Sequence, residues 1–142
     1  MTKIVINSCF GGFSVSEECI RRYAELKGLP LYVETDGYFN TYWTIPKEER
    51  IGLIASSDWS SASDEARRLS NELYGKYTID TRSFDRTDPL LVQAVEELGE
   101  KANGSCADLT IEELRPGTLY RINEYDGYES IETNSSIEWS VA

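Results

Sequence analysis

Residues 3–28 (KIVINSCFGGFSVSEECIRRYAELKG) set the terms on which this chain folds. The β-branched run Lys3-Ile4-Val5-Ile6-Asn7 shows no alternation, so it reads as a strand covered on both faces. It stops at Gly11-Gly12, and an amphipathic helix pattern with its own capping residues begins at once. The order strand, glycine turn, helix start gathers backbone N–H groups and the positive end of a helix dipole at one sheet edge. Such an edge can hold an anion, and it also opens many α/β domains that hold nothing.

The remaining elements follow from local signals. Residues 3–9 form the first strand. The first helix starts at Ser16, with Val15 and Ile20 placed as a hydrophobic staple, and Ser14 with Glu17 offers a capping box one step earlier. Its apolar face runs through Cys19, Ile20, Tyr23 and Leu26 to Gly28, with Pro30 just beyond. Residues 29–35 and 38–45 flank Asp36-Gly37, a two-residue hairpin signal, and the second arm is aromatic on both faces. Residues 46–57 read as a loop with a possible short strand at 51–54. A second helix follows from about Ser61, with Ala62, Ala66, Leu69 and Leu73 as its stripe and Gly75 closing it. Residues 77–84 read as a strand. The third helix has Asp88 as N-cap and Pro89 at its first position, with Leu91, Val95, Leu98 and Ala102 facing the core before Gly104. Strands follow at 107–114, at 119–125 and 128–133 about Asp126-Gly127, and at 137–141. An α/β front and an all-β rear give an α+β fold: a single domain spanning 1–142, a mixed sheet, three main helices and an antiparallel C-terminal part.

Composition narrows the function classes. The 142 residues suffice for one self-sufficient core, and no apolar run approaches the ~20 residues of a membrane span. Three cysteines without metal-ligand spacing fit a reduced, cytoplasmic setting, and no secretory h-region opens the chain. Lys and Arg number 14 against 25 Asp and Glu, net −11. Residues 96–142 alone hold 3 bases and 11 acids, net −8. Such a chain repels phosphate backbones, which disfavours direct nucleic-acid binding, and attracts a partner with a basic surface.

Three stretches, KIVINSCFGGFSVSEE, RTDPLLVQAVEELGEKANG and INEYDGYESIE, resemble a family of small proteins encoded by tailed phages and prophages. The resemblance covers residues 3–32 and 77–132. It implies a phage origin, hence the cytoplasm of an infected bacterium, and brings no catalytic residues with it. The aromatic hairpin is longer here than in compact members. The ending Asn134-Ser135-Ser136-Ile137-Glu138-Trp139 stands where similar proteins carry histidine and basic residues, so no role of that tail is carried over.

The chain has no histidine. Ser-His and Cys-His nucleophile pairs, the commonest general base and an ordinary tetrahedral zinc site all go with it. No carboxylate loop of calcium-binding type is present, and no catalytic residue, metal or cofactor is expected. Cys9 ends the first strand near a helix start, where a thiolate would be stabilised, yet it has no base beside it. A nucleotide-processing enzyme therefore stands as the weakest reading.

Two surfaces remain as candidates. The first is the turn Gly11, Gly12, Phe13, Ser14 and Ser16, whose glycines admit a phosphate or carboxylate and whose hydroxyls could donate to it. The same serines could instead cap the helix. The second is acidic and aromatic: Tyr38, Tyr42, Trp43, Glu112, Glu113, Glu124, Asp126, Tyr128, Glu129, Glu132 and Glu138, with Tyr125 alongside. Tyrosine and tryptophan anchor interfaces, and carboxylates draw basic partners. The expectation is a stoichiometric binder that inhibits a host defence or nucleic-acid-binding protein. The alternative is a nucleotide or anion sponge at the glycine turn. Edge pairing through the aromatic arm makes a homo-oligomer possible.

Overall fold

The structure is a computed structural model, and it describes residues 1–37, 39–134 and 140–142. The chain divides into two compact units, Met1–Lys27 with Thr81–Ala142, and Gly28–Asp80, although no linker marks the division in the sequence. The fold is α+β, with three α-helices and antiparallel strands in small sheets.

In the first unit, β1 (Thr2–Asn7) pairs antiparallel with β4 (Leu109–Leu114), with Val5 opposite Ile111. Ile4, Val5 and Ile6 are all buried, as the unbroken apolar run predicts. The other edge of β1 is occupied at Val5, whose N–H donates to the Arg86 carbonyl at 2.9 Å. Over the strand lie α1 (Glu17–Lys27) and α3 (Pro89–Leu98), which bury Cys19, Ile20, Tyr23, Leu91, Val92 and Val95. Each large aliphatic side chain so covered contributes ~1.5–3 kcal/mol. The two helices are also fastened by polar groups. The Tyr23 hydroxyl donates to Asp88 Oδ2 at 2.8 Å, and Phe84 meets the Tyr23 ring edge-on at 5.1 Å. Burial, more than these partners, raises the Tyr23 pKa. Asp88 caps α3 by accepting from Leu90 N, with Pro89 at the first helical position.

The second unit holds the hairpin β2 (Tyr32–Asp36) and β3 (Phe39–Trp43), then α2 (Asp64–Tyr77). Two 3-10 turns, Lys47–Glu49 and Ser56–Asp58, lie where the loop was expected, and residues 51–54 form no strand. Ser63, not Ser61, caps α2, accepting from Ala66 N at 3.1 Å. The helix runs through Gly75 to Tyr77, because Gly75 keeps a helical backbone. It ends where Thr78 turns extended to bridge Trp43. That bridge is all that exists of the strand expected at 77–84.

The expected mixed sheet is also corrected. Among the described residues the strands form three separate antiparallel pairs, β1–β4, β2–β3, and β5 (Tyr120–Tyr125) with β6 (Tyr128–Thr133). A parallel neighbour for β1 would need its free edge, and the Arg86 segment takes it. The strand expected at 137–141 falls mostly on residues outside the described ones.

Candidate functional site

The glycine turn is where β1 meets the tip of the β5–β6 hairpin. Gly11 and Gly12 have φ of +119° and +100°, and the Gly11 N–H donates to the Asp126 carbonyl at 3.2 Å. Backbones touch here: a Cβ on Gly127 would sit 2.1 Å from Gly12 N, so glycine is required by close approach as well as by its φ of +87°. Ser14 is pressed equally hard against Gly104, whose N–H donates to the Ser14 carbonyl at 3.1 Å. Ser16 caps α1 by accepting from Cys19 N at 3.1 Å, while its hydroxyl donates to the Lys101 carbonyl and its N–H to Ala102. The structure therefore gathers Gly11, Gly12, Ser14 and Ser16 in one place, with the donors of Gly11 and Ser16 engaged in packing. Phe13 lies under the Arg86 guanidinium, 3.5 Å from ring centroid to carbon.

Beside the turn is a buried polar hub. Asn7 is fully buried, and its Nδ2 donates to the carbonyls of Cys9 at 2.7 Å and Gly127 at 2.8 Å. Its Oδ1 accepts from Asp108 N at 2.9 Å, and its backbone N–H donates to Glu129 Oε1 at 2.9 Å. Arg86 closes the hub with a two-pronged bond to Glu129, at 2.6 and 2.9 Å, and a further donation to the Val5 carbonyl. Glu129, expected on the acidic surface, is buried (7% exposed) and neutralised by this pair. A carboxylate can be taken out of water here because every one of its strong partners is supplied.

Hairpin register then decides what faces outward. Tyr125 opposes Tyr128, Asn123 opposes Ser130 and Arg121 opposes Glu132, so these share one face. Glu124 and Glu129, with Ile122 and Ile131, share the other. Asp126 at φ 50° and Gly127 make the tight turn between the tyrosines, and Glu124 Oε1 accepts from Gly127 N at 2.8 Å. On the outward face Phe10, Tyr125 and Tyr128 cluster while 59%, 78% and 40% exposed. Phe10 lies 5.4 Å from the Tyr128 ring and 6.5 Å from that of Tyr125. Arg121 pairs with Glu132 at 2.9 Å, which holds the Glu132 carboxyl below its usual range.

The other candidates scatter. Glu112 and Glu113 are exposed on β4, opposite Ile4 and Lys3, so the acids form no single row with those of the hairpin. Trp43, expected at a partner surface, is buried in the second unit under Arg50 at 4.3 Å and against Tyr74 at 5.6 Å, and Tyr42 is half-buried. Tyr38 and Glu138 lie outside the described residues. Of the thiols, Cys19 is pushed up to about 11 by burial, Cys9 is half-buried and Cys106 is exposed. Sequence reasoning missed Phe10, Arg86 and Asn7. Phe10 follows a strand end, a position that carries no pattern of its own, and the pairing of Arg86 with Glu129 spans residues too distant for any local signal. Among the described residues no helix is long and apolar enough to cross a membrane. Set beside models of protein families, curated proteins and solved structures, the chain matches none.

Proposed function

We propose that this protein acts by stoichiometric binding: it occupies a basic surface on another protein with the outward face of the β5–β6 hairpin. The observation that carries the reading is the exposed Phe10–Tyr125–Tyr128 cluster on a chain of net charge −11. Exposed aromatics in contact are anchors of the kind that dominate interface energies, and the surrounding charge selects a cationic partner. The two tyrosines sit on a hairpin that the buried hub holds in place, so little ordering cost falls on association. The resemblance to phage proteins supports a target in the infected host, such as a defence nuclease or a nucleic-acid-binding protein. Inhibition then follows from blocking a surface.

The test is capture from bacterial lysate with the native protein and with Phe10→Ala and Tyr125→Ala. The reading expects a partner that is retained at low salt, released as salt rises, and lost with either variant. Retention undiminished by both variants would end it. The nucleotide-sponge alternative has no observation in its favour at Gly11–Ser16, where the Gly11 and Ser16 donors have internal acceptors.

A further inference from the structure

We infer that the group the hairpin face receives is an arginine side chain on a protein segment, laid across the Phe10, Tyr125 and Tyr128 rings and drawn by the turn carboxylate of Asp126. The inference rests on the binding reading above and names the chemistry of the partner. Three features of the face carry it. The rings are solvent-exposed, Tyr125 most of all, and the face of an aromatic ring attracts a cation. Asp126 stands between the two tyrosines, exposed, and forms no ion pair among the described residues. Arg121, the base on this face, is paired with Glu132, and Arg86 is paired with Glu129 on the other face, so among the described residues neither is engaged with the Asp126 carboxylate. Arginine suits this better than lysine, because a planar, weakly hydrated guanidinium stacks on rings while still donating to a carboxylate. A compact ammonium gives up more hydration to reach the same place. The fit is to a cation: a phosphate would be repelled by the Asp126 carboxylate and by the net charge of −11.

The test uses two blocked peptides, Gly-Arg-Gly-Arg-Gly and its lysine counterpart, titrated into the full chain and followed by NMR of the ring protons. The arginine peptide is expected to move the Phe10, Tyr125 and Tyr128 resonances and to bind about threefold more tightly than the lysine peptide. Tyr125→Leu, at an exposed position where folding is checked by the amide spectrum, should erase that preference while leaving some residual attraction. Asp126→Asn should weaken both peptides. Equal binding of the two peptides, shifts spread over Glu112 and Glu113 instead of the rings, or ring shifts explained by self-association would each overturn the inference. The two proposals fail separately. Lysate capture lost in Tyr125→Leu without any arginine preference leaves stoichiometric binding standing and removes arginine. Capture untouched by Phe10→Ala and Tyr125→Leu removes both.

Discussion

The two units are held together by different physics. In Met1–Lys27 with Thr81–Ala142, a central strand and two helices bury Ile4, Val5, Ile20, Leu91 and Val95 almost completely. In Gly28–Asp80, Trp43 is the single buried apolar side chain among the described residues, and Ile51, Leu53, Trp59 and Leu69 are exposed. That unit relies on directional contacts instead. Arg50 is held over Trp43 while bonding the Ile45 carbonyl and Glu34, and the Ser70 hydroxyl accepts from Ile54 N at 3.0 Å. A core gains free energy in proportion to area, whereas each polar contact returns only ~0.5–1.5 kcal/mol net. The difference teaches where a rigid platform for binding can sit: on the first unit, where the aromatic face is.

The sharpest way to break this contrast is to delete equal side chains from each unit. Leu91→Ala, at a fully buried site, should lower unfolding free energy by about 2–5 kcal/mol in a urea titration, while Leu69→Ala, half exposed on α2, should stay within about 0.5 kcal/mol. Comparable losses would mean that Gly28–Asp80 has a core after all. Breaking the hub comes next. Arg86→Ala leaves the Glu129 carboxylate buried without its partner and should cost about 3–5 kcal/mol by the same measurement, with Asn7 and Gly127 amides exchanging faster.

A subtler pair separates close packing from backbone preference. Gly127→Ala and Gly117→Ala both require a positive φ, at +87° and +84°, but only Gly127 has backbone within reach of the new Cβ. Thermal melting should show about 1 kcal/mol lost at Gly117 and clearly more at Gly127. An equal response would deny the contact between the hairpin tip and the glycine turn.

The smallest effect concerns pH. Arg22 bonds Glu97 at 2.6 Å and holds its carboxyl down from 4.5 to about 2. A folded-state pKa below the unfolded one means that this pair's contribution is in force above pH 4.5 and is lost as pH falls toward 2. Glu97 is exposed, so the shift adds little stability. Arg22→Gln should move the Glu97 side-chain titration in NMR back toward the ordinary carboxylate range.

Much of this architecture was legible because its signals are local. Asp88-Pro89 starts α3, Ser16 caps α1, and Asp126-Gly127 turns the β5–β6 hairpin, each through bonds made within a few residues. The second helix shows where local signals stop. The stripe Ala62, Ala66, Leu69 and Leu73 predicts the buried face, but Ser70 is buried and Leu69 is exposed, because the Ile54 N–H donates to the Ser70 hydroxyl and Tyr74 meets Trp43 edge-on. The candidate site divides in the same way. Gly11, Gly12 and the tyrosines about the turn were visible as residue types, and their use as close-packed backbone and outward ring faces was not.

Sequence by itself determined the α+β class, the capped helices, the tight hairpin turn, the acidity and the absence of imidazole, since each is a matter of composition or of neighbours along the chain. Only the tertiary structure decided that Glu129 goes inside with Arg86, that Trp43 is core, and that Phe10 joins Tyr125 and Tyr128 on one face. The reason is physical: burial and pairing are properties of which distant segments meet, and a side chain's own identity permits both the inside and the outside until they do.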